Sequence, residues 1–179
     1  MKEKAVHDRI IRKIGIKTVQ HTLQGGSTVS FNCPVLTPYL IPVIHSSTPF
    51  CINHPFMVEG DAYNVTCFSL QQKPYGALIV DNVTDLDIAS PGKALSTHPL
   101  FPLGADIVFV EIQRKDLIKV RLYEKDAGES GFSQQGSCAA FAAARILQKI
   151  EPSALVEMNG KICRVEWDGV EGGVTLTEN

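Results

Sequence analysis

A loop of small and polar residues that runs directly into a helix can bind an anion or hold a reactive side chain. Residues 123–148, YEKDAGESGFSQQGSCAAFAAARILQ, have this pattern. The unpaired N–H groups and partial positive charge at a helix N-terminus favour a carboxylate or a phosphate. Residues 133–136 are placed at this position, whereas Cys138 lies inside the predicted helix. The segment therefore predicts an anion site, and raises the question of whether the loop still does chemistry.

Two simpler interpretations of the same residues stay open. Ser133 or Ser137 serves only as the cap of the helix, because a serine oxygen readily accepts a backbone N–H there. The acidic residues just upstream, Glu124 and Glu129, are then solvated loop residues.

The helix that follows the loop, from about Gln135 to Ile150, carries small residues on nearly every side. A helix without a wide polar face is expected to be surrounded by protein. Since strands precede and follow it, we predict an α+β fold in which a curved, mostly antiparallel sheet wraps around this central Ala-rich helix. The alternative is a helix packed on one face of an open sheet.

Apolar segments separated by turn residues predict the strands around this helix. The predicted strands span 63–71, 75–83, 106–113 and 117–125, with three more within 154–178. Residues 85–101 predict short helical turns broken at Pro91-Gly92.

The first third of the chain has a less regular pattern. Apolar residues at helical spacing predict a helix over residues 3–14, and Gly25-Gly26 joins two predicted strands in a hairpin. Prolines crowd residues 34–56, which predicts an irregular connection. We therefore expect a small N-terminal segment, residues 1–58, and a main domain, residues 59–179.

Composition excludes several classes of protein. The net charge is −2 without a basic patch, so no nucleic-acid partner is expected. Apolar runs are too short to span a bilayer and the N-terminus has no secretory pattern, which predicts a cytoplasmic protein without membrane contact. Five scattered cysteines argue against a disulfide framework and are expected to be mostly small buried residues. Cys51 and His54 have no second pair of ligands, so no metal site is predicted.

The motifs of the second half resemble those of the diaminopimelate epimerases. Residues 98–147, HPLFPLGADIVFVEIQRKDLIKVRLYEKDAGESGFSQQGSCAAFAAARIL, are similar to the family's second domain. That domain has a His-Pro-Leu-Phe-Pro segment, then NV.FV, then R.YERGAGET.ACGTGACAA. Residues 74–83, PYGALIVDNV, resemble the family's GNPH..V.FVDDV. The resemblance is good over residues 60–177 and weaker over residues 1–60, which look like the end of the first domain.

The resemblance implies a fold and a reaction. The family has two similar domains, each a curved sheet around a central helix. It inverts the α-carbon of an amino acid without a cofactor. One cysteine at the mouth of each central helix faces the α-carbon, where one thiolate removes the proton and the other thiol returns one. Helix N–H groups hold the substrate's α-carboxylate. No cofactor is therefore expected.

Carried over by position, the catalytic residues are altered. The family's second-domain cysteine corresponds to Ser133, and Cys138 corresponds to a later, structural cysteine. Gln134 and Gln135 replace the Gly-Thr that follows the catalytic cysteine, whereas Glu124 retains the glutamate of YERG. The other catalytic cysteine, in the first-domain motif CGNGAR, has no counterpart, because the chain begins after it.

The ligand-binding residues are altered as well. Lys125 replaces a substrate-binding arginine, and Lys73-Pro74-Tyr75 replaces Asn-Pro-His. Asp106 replaces a substrate-binding asparagine. The acid at Asp106 would repel a carboxylate unless Lys73 or Lys125 neutralises it.

These departures lead to three hypotheses. The first is a truncated, non-catalytic or repurposed member of the superfamily that binds a small carboxylate or amino acid, because a serine without a base partner stays protonated. The second is an amino-acid racemase or epimerase completed by a partner chain, with Glu124 as acid/base. The third is an interaction module in which homodimerisation covers an apolar face.

Overall fold

The computed structural model describes residues 18–21, 27–41, 43–44 and 49–178. Within them the chain forms eleven strands, two α-helices and one 3₁₀ turn. The strands are β1 Thr18–His21, β2 Ser27–Phe31, β3 His54–Val58, β4 Asp61–Leu70, β5 Lys73–Val80, β6 Asp106–Arg114, β7 Leu117–Glu124, β8 Gly128–Ser130, β9 Ser153–Met158, β10 Lys161–Glu166 and β11 Val174–Glu178. The helices are α1 Ala89–Ser96 and α2 Gln134–Ile146, and the 3₁₀ turn is Pro38–Leu40.

The strands form one sheet in the order β1-β2-β11-β10-β9-β7-β6-β5-β4-β3, and β8 pairs with the end of β7. All neighbours are antiparallel except β5–β6 and β7–β9. Parallel neighbours need a crossover connection. Helix α1 supplies the first crossover and α2, which follows β8, supplies the second. The sheet is therefore mostly antiparallel, as predicted.

Helix α2 lies at the centre of the fold. Every residue from Gly136 to Ala144 is buried. The helix contacts strands from β4 on one side of the sheet to β11 on the other, so the sheet must curve around it. Alanine side chains allow strands to approach α2 from several directions, and Phe141 fills the remaining space. This confirms the predicted sheet wrapped around a central Ala-rich helix.

Helix α1 lies on the opposite face of the sheet, which creates a second core. Strand β6 separates the two cores, because alternate side chains of a strand point to opposite faces. Val108 and Val110 pack with α2. Ile107 and Phe109 pack in the second core, which also contains Leu95 of α1.

The predicted break at Pro91-Gly92 is wrong, since α1 runs through both residues. Pro91 occupies the first helical turn, where an N–H has no acceptor within the helix, so the proline costs little there. Gly92 is buried against Tyr123, and a Cβ at this position would lie 2.5 Å from Tyr123 Cγ. The glycine therefore allows close packing of α1 on β7.

The predicted end of the central helix at Ile150 is also wrong, because α2 ends at Ile146. Gln148 adopts a left-handed conformation with φ of 55°. The N–H groups of Gln148 and Lys149 donate to the carbonyls of Arg145 and Ala144. This is a Schellman ending with glutamine where glycine is usual, so the sequence carried no stop signal.

The N-terminal part joins the same sheet. Strands β1 and β2 pair as predicted, whereas the Gly25-Gly26 turn and the helix expected at residues 3–14 lie outside the described residues. Strand β2 also pairs with β11. Among the helices of the described residues, none is long and apolar enough to cross a membrane.

Strand β3 was not predicted, because it lies within the proline-rich segment. Within the described part of the chain it is an edge strand whose one partner is β4, and Pro55 is tolerated at such an edge. The expected boundary between residues 58 and 59 falls at the turn between these two paired strands. The division into two domains stays a prediction.

Candidate functional site

Ser133 caps the N-terminus of α2. Its Oγ accepts a hydrogen bond from Gly136 N at 3.0 Å, and its carbonyl accepts one from Ser137 N at 2.8 Å. Its own N–H points to the sulfur of Met158 at 3.3 Å. Among the contacts of the described residues, none places a basic side chain on Ser133 Oγ. The hydroxyl therefore has a capping partner and no group that would remove its proton.

The two glutamines that follow Ser133 connect the mouth of α2 to its surroundings. Gln134 Nε2 donates to Glu178 Oε1 at 2.9 Å, on β11. Gln135 Nε2 donates to Leu70 O at 2.9 Å, where β4 turns into β5. The second bond joins the mouth of the helix to the hairpin that borders a surface cleft.

The cleft has a volume of about 370 Å³. The β4–β5 turn forms one side, and the start of β6 together with the β7–β8 turn forms the other. Its lining combines two lysines, two aspartates and two glutamines with small and apolar residues. The lining residues are Gln71, Gln72, Lys73, Pro74, Leu103, Gly104, Ala105, Asp106, Lys125 and Asp126. It thus contains three of the predicted ligand-binding residues, Lys73, Asp106 and Lys125.

Asp106 is the buried charge of the cleft. Its Oδ2 lies 2.5 Å from Lys73 Nζ, and its Oδ1 accepts the N–H of Lys125 at 3.0 Å. The side chain of Asp106 is 4% exposed, whereas that of Lys73 is 43% exposed. Lys73 therefore supplies the neutralising charge that an acid at this position requires.

Lys125 has a different role from Lys73. Its Nζ donates to Leu103 O at 2.9 Å on the wall of the cleft. Its aliphatic chain lies directly over Gly104, which has φ of 73° and no space for a Cβ. The ammonium is thus held against the wall instead of being directed at Asp106.

Tyr75 lies beneath the cleft, beside Asp106 in the parallel β5–β6 pair. Its ring stacks on Phe68 with centroids 5.8 Å apart. Burial raises the pKa of its phenol strongly, and the charges of Asp106 and Glu124 add to this. Glu124 ends β7 and lies two residues after Leu122, so both side chains are on the same face of the sheet. Leu122 packs in the core around α2. Glu124 and Tyr75 therefore belong to the same face of the sheet.

Tyr75→Phe will make stability less sensitive to alkaline pH. The unfolded tyrosine ionises near pH 10 whereas the buried one keeps its proton, so the unfolded state binds fewer protons and the wild type loses stability as pH rises. The loss approaches about 1.4 kcal/mol per pH unit above 10. Urea denaturation at pH 8 and 10.5 will measure it. Tyr39→Phe, at an exposed position, is the control and will retain the wild-type pH dependence.

The rim of the cleft contains a strained turn that sequence patterns did not reveal. Gln71 and Gln72 join β4 to β5 and have φ of 53° and 64°. A two-residue hairpin with positive φ at both positions is a type I′ turn, which Asn-Gly forms at low cost. Glutamine in this conformation costs on the order of 1 kcal/mol, and such strain is often found beside ligand sites.

The predicted site residues form two connected groups. Lys73, Asp106 and Lys125 line the cleft, with Tyr75 beneath it. Ser133, Gln134 and Gln135 form the mouth of α2, which reaches the cleft through Leu70. Cys138 is buried inside α2. The signal that sequence reasoning missed is the Gln-Gln turn between two strands.

The fold is shared with solved structures of racemases and epimerases. A hydroxyproline epimerase from Agrobacterium vitis, with bound trans-4-hydroxy-L-proline, matches with a TM-score of 0.56 and 12% identity. The match covers 96% of this chain and 60% of that one. A phenazine biosynthesis protein of the PhzF family from Bacillus anthracis matches with a TM-score of 0.53 and 9% identity, over 91% and 61% of the two chains.

Sequence comparison gives the family. The family model for diaminopimelate epimerase matches residues 73–178, and the chain belongs to this family. Diaminopimelate epimerase from Cyanothece sp. is 32% identical over 170 residues, which are 94% of this chain and 60% of that protein. The enzyme from Thioalkalivibrio sulfidiphilus is 31% identical over 157 residues, 88% of this chain and 55% of that protein. The chain therefore spans less than two thirds of the relatives' length.

Proposed function

We propose that this domain is a repurposed member of the diaminopimelate epimerase family that binds a small amino acid or carboxylate without inverting it. The main support for the proposal is the residue at position 133, Ser133. It stands where the family resemblance places a catalytic thiol, and its Oγ is engaged by the N–H of Gly136.

The chemistry of the hydroxyl argues against proton transfer. Removal of an α-proton needs a group that is ionised at neutral pH, and a serine reaches that state only with an adjacent base. The hydrogen bond described for Ser133 Oγ comes from the backbone N–H of Gly136, which is a donor and cannot take the hydroxyl proton. The retained acid at this face, Glu124, is the candidate acid/base in the alternative function, a racemase completed by another chain.

Two features support ligand binding. The N-terminus of α2 favours an anion. The cleft beside it contains Asp106, whose charge Lys73 compensates from a half-exposed position. An amino acid has both a carboxylate and an ammonium, and so matches a helix mouth next to an acid.

Exchange in D₂O will test the proposal. The protein is incubated in D₂O with diaminopimelate and a panel of L- and D-amino acids, and NMR follows loss of each α-proton signal. We expect no exchange above the protein-free rate, together with line broadening of the ligands that bind. The relative from Cyanothece sp. is the positive control.

Two results would contradict the proposal. Exchange of any α-proton at an enzymatic rate would favour the racemase, and Glu124→Gln would then abolish it. Absence of line broadening across the whole panel would remove the binding function and favour an interaction module.

A further inference from the structure

Cys51 and Cys67 face each other in the second core, on the opposite side of the sheet from α2. Cys51 Sγ and Cys67 Sγ lie 2.7 Å apart, and both residues are fully buried. We propose that Cys51 and Cys67 are a redox-sensitive pair that forms an intramolecular disulfide when the protein meets a small hydroperoxide. This modification is independent of the ligand site.

A backbone hydrogen bond already holds Cys51 and Cys67 side by side. Cys67 N donates to Cys51 O at 2.8 Å, and Asn53 N donates to Thr66 Oγ1 at 3.1 Å, so residues 51–53 lie along β4. Directly opposed residues of antiparallel strands have Cα atoms about 4.5–5.5 Å apart, and Cys51, which precedes β3, is joined to β4 by one such backbone bond. A disulfide spans Cα separations of about 4.4–6.8 Å. The sulfurs need to approach by roughly 0.7 Å to reach bonding distance.

The other described cysteines have different surroundings. Cys163 Sγ donates to Val156 O, and Cys33 Sγ to Pro34 O. Cys138 is enclosed within α2. The thiol–thiol contact therefore singles out Cys51 and Cys67.

The two sulfurs have unequal roles. The hydrogen bond from Cys67 lowers the pKa of Cys51, which favours its thiolate. Burial raises the pKa of Cys67, which keeps its proton. Cys51 also precedes the edge strand β3, whereas Cys67 lies inside β4, so an oxidant that enters where the hairpin opens reaches Cys51 first, and Cys67 resolves the product.

The reaction balances with hydrogen peroxide as the oxidant. The Cys51 thiolate attacks one peroxide oxygen, the O–O bond breaks, and a sulfenic acid and hydroxide form. Cys67 then attacks the Cys51 sulfur, the S–O bond breaks, and an S–S bond forms with loss of water. Two electrons pass from the sulfurs to the peroxide.

The location gives the bond a structural effect. Among the described strands β3 pairs with β4 alone, so local opening of the β3–β4 hairpin admits peroxide while α2 stays packed. The disulfide then closes residues 51–67 into a loop that contains the whole turn between β3 and β4. The oxidised hairpin is covalently fixed to the main domain, and the reduced one is free to open.

Thiol counting tests the proposal on the whole chain. Reduced protein is treated with hydrogen peroxide, quenched with catalase, denatured and labelled with N-ethylmaleimide. The chain has five cysteines, so we expect five labels before oxidation and three after it (5 − 2 = 3), with five restored by dithiothreitol. Oxidation is also expected to raise Tm by about 5 °C. Five labels after oxidation would overturn the proposal.

Fragment masses identify the pair. Cleavage after Lys17, Glu59 and Lys93 gives fragments 18–59 and 60–93, which the disulfide joins. Fragment 60–93 contains Cys67 alone, and fragment 18–59 contains Cys33 and Cys51. Cys33→Ser is the matched control and will keep the joined fragments, whereas Cys51→Ala will lose them. A joined pair that survives in Cys51→Ala would overturn the assignment. The thiol count is made on the wild-type protein, so it does not depend on whether any variant folds.

Discussion

Ser133→Cys will give the chain a thiol that reacts with iodoacetamide at neutral pH at least about tenfold faster than an ordinary surface cysteine. Ser133 lies at the N-terminus of α2, and its side-chain atom accepts the N–H of Gly136. A thiolate in this place gains the same hydrogen bond and the helix dipole, both of which lower its pKa. The mouth of α2 would thus still stabilise an anion.

Mass spectrometry of the peptide 126–145 will measure the alkylation rate between pH 5 and 9. Ser130→Cys is the matched control, because Ser130 lies three residues earlier, in β8, away from the helix end. Cys138, in the same peptide, is buried and gives the background. A pH profile for the Ser133 variant that coincides with that of the Ser130 variant would contradict the prediction.

This result would separate two parts of the site. The helix amides belong to the fold, whereas the reactive atom belongs to one side chain. Ser133→Cys replaces an oxygen by a sulfur and leaves the backbone unchanged. If the thiol of the Ser133→Cys variant is activated, serine in place of cysteine at this one position is enough to explain why this half of the site has no acid/base group.

Lys73→Met will lower the free energy of unfolding by about 2 kcal/mol at pH 7. The substitution leaves the carboxylate of Asp106 buried with only the N–H of Lys125 as partner. Breaking a fully buried ion pair costs about 3–5 kcal/mol, and the exposure of Lys73 reduces the cost here. Urea denaturation will measure the difference.

A second variant tests the cause of this loss. Lys73→Met combined with Asp106→Asn removes the charge but keeps an oxygen that accepts the N–H of Lys125, so most of the stability returns. Lys161→Met breaks the pair with Glu178, whose side chain is 17% exposed against 4% for Asp106, and is expected to cost less than about 1 kcal/mol. If the double variant is as unstable as Lys73→Met alone, the lost energy comes from packing and not from charge.

The architecture was predictable because its main signals are local. Small residues along α2 require protein on every side, and apolar segments between turns mark β4 to β7, with regular alternation in β7. Electrostatics predicted that Lys73 or Lys125 would neutralise Asp106, and the structure pairs Asp106 with Lys73. These features depend on residue type and spacing, which the sequence contains.

Other features depend on tertiary contacts or on unusual residues. Gln148 ends α2 and Gln71-Gln72 turns a hairpin, all with positive φ that glutamine rarely adopts. Strand β3 forms around Pro55 because its partner β4 is present. The hydrogen bond from Gln135 to Leu70 links residues 65 positions apart, which no local pattern indicates.

The pairing of β2 with β11 has a consequence for how the molecule is assembled. Ser30 and Thr175 lie side by side although 145 positions separate them, and any Cβ on Gly173 would collide with the carbonyl of Phe31. Contacts of such sequence separation form slowly, because the intervening chain must first be ordered. During synthesis β2 has no partner for this edge until β11 leaves the ribosome. Until β11 pairs with it, the unpaired edge of β2 is the part of the newly made chain that is most prone to aggregation.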